Sequence, residues 1–167
     1  MENRAKTNFV VNKENHTLTI KRDFSASRQL VWDCYTKSEL LDKWFAPKPL
    51  TAKTKEMHFT EGGHWLYAMV EPNGTEHWGR TDFTEIKPID YYKSLDGFCD
   101  EKGNLKPNMP RAKWHVKFTD LNENSNVETV VTYNSLKDLE TVLEMGMKDG
   151  LISTLERLDE LLVRITE

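Results

Sequence analysis

The sequence contains no long apolar run, few cysteines and no concentration of charge of one sign. No run reaches the ~18 apolar residues that a membrane-spanning helix needs, and residues 1–7 are polar, unlike a signal peptide. Lysine and arginine are scattered along a chain of net charge −4, and no basic patch forms, which argues against a nucleic-acid partner. We therefore predict a cytoplasmic protein with no membrane insertion.

The residues that usually mark catalytic and metal sites are also scarce. The two cysteines, Cys34 and Cys99, fit no metal-binding spacing and are predicted to be free thiols. None of the five histidines has a partner at a ligand spacing, and there is no nucleophile elbow, phosphate loop or dinucleotide fingerprint. The sequence thus predicts no metal, no cofactor and no catalytic residue that a motif identifies.

The 167 residues, of which 30% are charged and 38% hydrophobic, are typical of one folded domain. Alternating patterns predict strands at residues 16–24, 51–59, 64–70, 77–86, 91–99, 113–121 and 127–133. Two short helices, begun by Ser25 or Ser27 and by Ser38, are predicted between the first two strands. Residues 1–15 form an N-terminal extension that can supply an extra strand, and residues 16–167 form a single domain.

Apolar residues then recur at helical spacing from Ser135 to the end of the chain, which predicts one long C-terminal helix. Gly146 and Gly150 lie in its first half, where a kink or a close contact would explain them. The order β-α-α-β×6-α predicts an α+β fold. In this fold a curved antiparallel sheet of about seven strands wraps around the long helix and leaves space for a ligand between them.

A hairpin at residues 62–83 has the most distinctive side chains of the sequence. Asn73-Gly74 favours a two-residue turn. That turn would place Met69 opposite Trp78, Tyr67 opposite Arg80, and Trp65 opposite Asp82. All six side chains would then lie on one face of the hairpin. The face is interpreted either as core or as the wall of a ligand cavity, with Arg80 as a polar group of the cavity or part of a salt bridge.

Other cavity candidates lie on later elements. Alternation places Asp96 and Phe98 on one face, and it places Trp114, Val116 and Phe118 inward. Asp96 is either a buried carboxylate that anchors a ligand or an exposed residue at the start of a loop. From the long helix, Met147 and Leu151 are predicted to face the cavity, with ordinary packing as the alternative.

Two further features concern access to the cavity. Trp32 and Trp44, on the short helices, are expected either at the cavity entrance or as anchors of those helices. The loop at residues 100–110 is long for its position, which makes it a candidate lid.

Several short motifs together resemble the START-like (SRPBCC, helix-grip) superfamily. They include Val31-Trp32, the run from Glu39 to Pro47, Glu61-Gly62-Gly63, Glu85-Ile86 before Pro88, and Trp114. The similarity covers residues 16 to 163, and the nearest branch resembles bacterial proteins related to the C-terminal domain of the activator of the heat-shock-protein-90 ATPase. The resemblance implies a helix-grip fold.

Three functions follow as hypotheses. The first is non-catalytic binding of a small apolar or aromatic ligand between sheet and helix, by a monomer or a homodimer. The second is a chaperone-interacting module, against which stands the absence of the Asn- and Trp-rich motif of the eukaryotic-type activator before the first predicted strand. The third is a cyclase-like enzyme on aromatic substrates, which requires a strongly perturbed ionisable group in the cavity.

Overall fold

The computed structural model describes residues 7–166, which form eight strands and four helices. The strands are β1 (Asn8–Asn12), β2 (Thr17–Phe24), β3 (Thr51–Met57), β4 (His64–Val70), β5 (Glu76–Lys87), β6 (Tyr91–Phe98), β7 (Ala112–Leu121) and β8 (Asn124–Tyr133). The helices are α1 (Arg28–Thr36), α2 (Ser38–Leu41), α3 (Leu136–Glu144) and α4 (Met147–Thr166). None of the described helices combines the length and apolarity needed to cross a bilayer.

All eight strands form one antiparallel sheet in the order β1-β2-β8-β7-β6-β5-β4-β3. The predicted α+β class, the curved antiparallel sheet and the long C-terminal helix are confirmed. The strand beyond the predicted seven is β1, which pairs with β2 at one edge. Residues 1–6 of the predicted N-terminal extension lie outside the described residues, and the domain boundary at residue 16 stays a prediction.

The hairpin between β4 and β5 differs from the prediction by one residue. Val70 pairs with Glu76, so the loop is longer than Asn73-Gly74; Glu71 N–H donates to Thr75 O at 2.8 Å and Gly74 has φ +96°. The cause is Pro72, because a two-residue loop would pair Pro72 with Thr75 and require an N–H that proline lacks. A type I turn closed by glycine in the left-handed region accommodates it.

This shift changes the face of half the hairpin residues, because side chains alternate across a strand. Trp65, Tyr67 and Met69 stay on the inner face, opposite Thr81, Gly79 and His77. The predicted couples with Trp78, Arg80 and Asp82 were therefore wrong, since these three residues point to the other side of β5.

The C-terminal helix is interrupted near its start. α3 ends at Glu144 and α4 begins at Met147, with Gly146 between them at φ +90°. The prediction of one continuous helix from Ser135 was wrong, although the predicted kink at a glycine is present. A left-handed residue ends a helix in the way that glycine readily allows.

At one end of the sheet, which we call the closed end, α1 and α2 fill the space under α4. Ser27 accepts a hydrogen bond from Leu30 N–H and so begins α1, whereas Ser38 is already inside α2 and caps nothing. The ring of Phe118 lies 5.0 Å from that of Trp32 and 5.2 Å from that of Tyr35. These edge-to-face contacts leave a dense aromatic core.

A buried ion pair ties the same end of α4 to the sheet. Arg22 on β2 is buried and donates to the carboxylate of Asp159 on α4. Leu158 beside it is completely buried, and Leu161 and Leu162 are also in the core. This half of α4 is therefore held by apolar burial and by charge together.

The 100–110 loop does not act as the predicted lid. Gly103 O accepts a hydrogen bond from Arg80 Nη1 at 3.2 Å, and a Cβ on Gly97 would lie 2.7 Å from a methyl group of Leu105. The loop therefore packs against the outer face of the sheet, and only Pro110 at its end borders the inner side. On β7 the predicted alternation is confirmed, since Val116 and Phe118 are buried and Lys117 is exposed.

Candidate ligand-binding cavity

A cavity of about 330 Å³ lies between the inner face of strands β4–β8 and the corner where α3 meets α4. Its wall is mostly apolar and combines strand residues with residues from the helix corner. The strands contribute Tyr67, Met69, His77, Trp78, Gly79, Asp96, Gly97, Phe98, Trp114 and Tyr133; the rest of the wall is Phe45, Pro47, Pro110, Val142, Met145, Gly146, Met147, Gly150, Leu151 and Thr154.

Small residues keep this space open. On β5, a Cβ on Gly79 would lie 2.8 Å from the Tyr67 ring, so only glycine lets that ring lie flat across the strand. On α4, a Cβ on Gly150 would have its nearest neighbour, Pro47 Cγ, at 3.9 Å. At Gly150, α4 therefore has no side chain that would fill the gap.

The segment after α2 closes one side of the cavity with Phe45 and Pro47. Nη1 of Arg157 on α4 donates to Ala46 O at 2.7 Å and to Leu50 O at 2.6 Å, and Lys48 N–H donates to Ser153 Oγ at 3.1 Å. These three bonds attach the segment, and with it this wall of the cavity, to α4.

Asp96 on β6 is the acidic group of the cavity wall. Burial raises its pKa to about 6, although the hydrogen bond from Ala112 N–H to its Oδ1, at 2.9 Å, favours the charged form. The indole of Trp114 also favours the charged form, although its N–H completes no hydrogen bond within the described residues. No basic side chain among residues 7–166 forms an ion pair with this carboxylate.

Further polar groups surround Asp96. The Nε1 atom of Trp114 is buried and makes no hydrogen bond within the described part of the chain. The Tyr133 hydroxyl donates to the sulfur of Met147 at 3.2 Å, which is a weak acceptor. Burial raises the pKa of the Tyr67 and Tyr133 phenols, and the Asp96 carboxylate raises both further. The cavity therefore has a small polar cluster in an otherwise apolar wall.

The cavity reaches solvent beside two apolar side chains. Phe98 is 37% exposed and Met145 is 54% exposed, although both border the cavity. Large apolar side chains at an opening offer a surface along which an apolar ligand can enter.

Eight of the residues predicted for the cavity line it. They are Tyr67, Met69, Trp78, Asp96, Phe98, Trp114, Met147 and Leu151. Trp78 borders the cavity although its ring lies on the outer side of the sheet. There the ammonium groups of Lys53 and Lys55 stand 5.9 and 5.8 Å from the ring. That these residues bind a ligand stays a prediction.

Trp65 and Arg80 were predicted for the cavity but lie outside its wall. Trp65 is buried behind Tyr67, with ring centroids 4.0 Å apart, and its Nε1 donates to Thr54 Oγ1 at 2.9 Å. Arg80 lies on the outer face, where Arg80 and Arg111 both bind the Asp82 carboxylate, at 2.9 and 2.6 Å. Burial opposes ionisation of Asp82, but these two hydrogen bonds outweigh it and hold its pKa below the usual value.

The two tryptophans expected at an entrance are in the closed end instead. Trp32 packs against Phe118 and Tyr92, and the buried Trp44 donates from Nε1 to Cys34 O at 2.9 Å. Of the two interpretations given for them, the anchoring of the short helices matches their position, and neither lines the cavity.

The sequence interpretation missed Tyr133, Phe45 and Met145. Tyr133 could have been found, because it continues the inward alternation of Val127, Thr129 and Val131 along β8. Met145 could not, since its place depends on the break of the helix at Gly146.

Within residues 7–166, no group of three or more His, Cys, Asp or Glu side chains is arranged to hold a metal ion. His58 and His64 do approach each other, with ring centroids 5.5 Å apart. The hairpin register places His64 opposite Asp82 and His77 opposite Met69.

Comparison with known proteins gives a family and several structural relatives. Residues 25–163 match the model of the family described as Activator of Hsp90 ATPase homolog 1-like protein. No match was found among curated proteins.

The solved structures include similar chains from three bacteria. The chain is 29% identical to protein Ms6760 of Mycobacterium smegmatis, with a TM-score of 0.86 over 93% of this chain and 96% of the other. A protein from Arthrobacter aurescens is 27% identical, with a TM-score of 0.89 over 94% and 91% of the two chains. One from Staphylococcus epidermidis is 26% identical, with a TM-score of 0.82 over 95% and 96%.

Proposed function

Because the chain belongs to the family of Activator of Hsp90 ATPase homolog 1-like proteins, we propose that it uses the START-like cavity to bind a small hydrophobic or aromatic ligand without chemical change. The observation that carries the proposal is the cavity of about 330 Å³ between sheet and helix, with its mostly apolar wall. Pockets for small molecules are typically of this size and composition.

The contrast with the closed end supports this proposal. The same helix packs without a gap at Leu158, so the sheet does not prevent tight packing. The gap occurs where Gly150 and the helix break at Gly146 leave space, next to exposed Phe98 and Met145. The two buried free thiols, Cys34 and Cys99, fit the reducing environment of the cytoplasm, where we propose that binding occurs.

Native mass spectrometry of the purified protein, followed by denaturation and identification of any released molecule, tests the proposal. We expect a co-purifying apolar molecule, or a rise in melting temperature with an added one that follows RT ln(1 + [L]/Kd). A clean apo mass, together with no thermal shift across a set of apolar and aromatic compounds, would contradict the proposal.

A variant that fills the cavity makes this test specific. Leu151→Trp adds a ring to the cavity wall on α4, and we expect it to abolish the ligand-induced thermal shift. Val163→Trp is the matched control, because Val163 lies on the same helix and is 56% exposed. The control should respond to ligand like the unmodified protein.

Asp96 gives a specific reason to retain the enzyme hypothesis as a second candidate. A cyclase-like enzyme needs a perturbed ionisable group in the cavity, and the pKa of Asp96 is raised to about 6 by burial. If the protein is an enzyme on aromatic substrates, Asp96→Asn will abolish turnover while it leaves binding measurable. Equal binding with no turnover in either protein would favour the non-catalytic proposal.

The chaperone-interacting module remains as the alternative that the family's description suggests. It would be favoured by an apolar patch on the outer face and a filled interior. Titration against a purified heat-shock-protein-90 ATPase tests it, and no binding on the order of tens of micromolar would exclude it.

A further inference from the structure

We propose that the ligand carries a neutral hydroxyl group, of the phenol or alcohol class, held between the carboxylate of Asp96 and the indole N–H of Trp114. This inference rests on the proposed function and specifies the chemistry of the ligand. Its basis is a juxtaposition of a buried acceptor and a buried donor in the wall of one apolar cavity.

The carboxylate of Asp96 has an incomplete set of hydrogen-bond partners. Its Oδ1 accepts from Ala112 N–H at 2.9 Å, while Arg111 nearby donates to the backbone oxygen of Asp96 and to Asp82 instead. No ion pair of Asp96 is formed within residues 7–166. Apart from the Ala112 N–H and the nearby indole of Trp114, this carboxylate has no donor that outweighs its burial, so a ligand that donates a hydrogen bond there is favoured.

The indole of Trp114 provides a hydrogen-bond donor beside Asp96. Its Nε1 is buried and completes no hydrogen bond among the described residues, although it lies near enough to Asp96 to favour the charged carboxylate. An indole N–H can only donate, so this atom calls for an acceptor on the ligand. Ser94 pairs with Trp114, and Asp96 pairs with Ala112, so Asp96 and Trp114 are diagonal neighbours on one face.

Charge and hydrogen-bonding capacity together exclude ammonium and carboxylate groups as the polar group of the ligand. An ammonium group can donate to Asp96 but cannot accept from Trp114, and a carboxylate can accept from Trp114 but would be repelled by Asp96. A single hydroxyl does both, since its oxygen accepts one hydrogen bond and donates another. The apolar remainder would lie along the rings of Tyr67 and Phe98 toward the opening.

Isothermal titration calorimetry at neutral pH with four probes of one ring system tests this inference. The probes are naphthalene, β-naphthol, its methyl ether and β-naphthylmethylamine. We expect β-naphthol to bind about tenfold more tightly than its methyl ether or naphthalene, because only the hydroxyl donates and accepts. The amine, which is a cation at neutral pH, should bind more weakly than β-naphthol.

Variants then assign the preference to the two residues. Asp96→Asn and Trp114→Phe should each reduce the ratio of naphthol to methyl-ether affinity several-fold, and a ratio within one variant cancels changes in packing. Asp120→Asn, on the same strand as Trp114 but exposed, is the control and should keep the full ratio. Retention of the full ratio in both cavity variants would overturn the assignment.

The possible outcomes separate this inference from the proposed function. Equal binding of naphthalene, the ether and naphthol would overturn the inference and support the proposed function. Tightest binding of the amine would overturn the inference by making Asp96 a counter-ion. Absence of binding by all four probes would contradict the proposed function and, with it, the inference.

Discussion

The closed end and the cavity end of the molecule use the same sheet and the same helix but pack differently. At the closed end, Leu158 of α4 is completely buried and the rings of Trp32, Tyr35 and Phe118 interlock. At the cavity end, Leu151 borders an open volume of about 330 Å³. The two residues lie two helical turns apart, so the difference arises from their neighbours.

The cavity is produced by the size of the side chains that lie between the sheet and α4 at each end. α1 supplies Trp32 and Tyr35 to the closed end, and the turn after α2 adds Trp44. At the other end, Gly79 leaves room for the flat ring of Tyr67, Gly150 places no side chain in the gap, and Gly146 breaks the helix.

The largest expected effect compares leucine truncations at the two ends. Leu158→Ala should reduce the free energy of unfolding by about 3–4 kcal/mol, because it leaves a cavity in a dense core. Leu151→Ala should cost about 1 kcal/mol, because its side chain already borders an open space. Urea denaturation followed by circular dichroism measures both. Equal losses would show that the two ends are packed alike.

A second prediction concerns the cost of the buried carboxylate at the cavity end. Because the pKa of Asp96 is raised to about 6 from 3.8, the folded protein binds its proton more tightly than the unfolded chain does. The contribution of Asp96 to stability therefore falls as pH rises through this window and stays low above it. Asp96→Asn should raise the free energy of unfolding at about pH 7.5 by up to about 3 kcal/mol.

The measurement is urea denaturation of both proteins from about pH 4 to about pH 7.5. The advantage of the variant should shrink toward the acid end, because Asp96 is already protonated in the folded protein there and the unfolded chain approaches its own pKa of 3.8. Tyr67 and Tyr133 do not add to this dependence, because burial keeps their phenols uncharged by raising both pKa values. Asp120→Asn serves as the exposed control, and an advantage independent of pH would contradict the prediction.

The smallest expected effect distinguishes the two glycines of the helix corner. Gly146→Ala should cost about 1–2 kcal/mol, because Gly146 has φ +90° and a side chain is strained there. Gly150→Ala should gain about 0.5–1 kcal/mol, since the position is helical and its nearest neighbour would be 3.9 Å away. Thermal unfolding of both variants measures this difference. A loss at Gly150 would mean that the glycine there serves a close contact.

Local patterns predicted the strands and most of the core, because alternation depends on neighbouring residues alone. β7 is an example: its inward Val116 and Phe118 follow directly from the period of two. The hairpin register was predictable only if Pro72 had been given weight against Asn73-Gly74. A single missing N–H shifted the pairing and moved Arg80 from the predicted cavity to the outer face.

For the cavity, the sequence identified eight wall residues but not which aromatic residues face one another. Trp65 and Tyr67 lie on the same face of β4, yet only Tyr67 borders the cavity, because Phe45 and Thr54 enclose Trp65. Trp32 and Trp44 carry no local mark that distinguishes a core anchor from a cavity entrance. Those assignments depend on contacts between residues distant in the chain.

The sequence by itself determined the α+β class, the order of the elements from β2 to β8 and the family, since these follow from short-range periodicity and motifs. The tertiary structure decided where the sheet and helix separate, which side of the sheet the 100–110 loop covers, and that Asp96 and Trp114 share one wall. The physical reason is that periodicity assigns a residue to a face. Whether that face is filled depends on the volumes that distant elements bring against it.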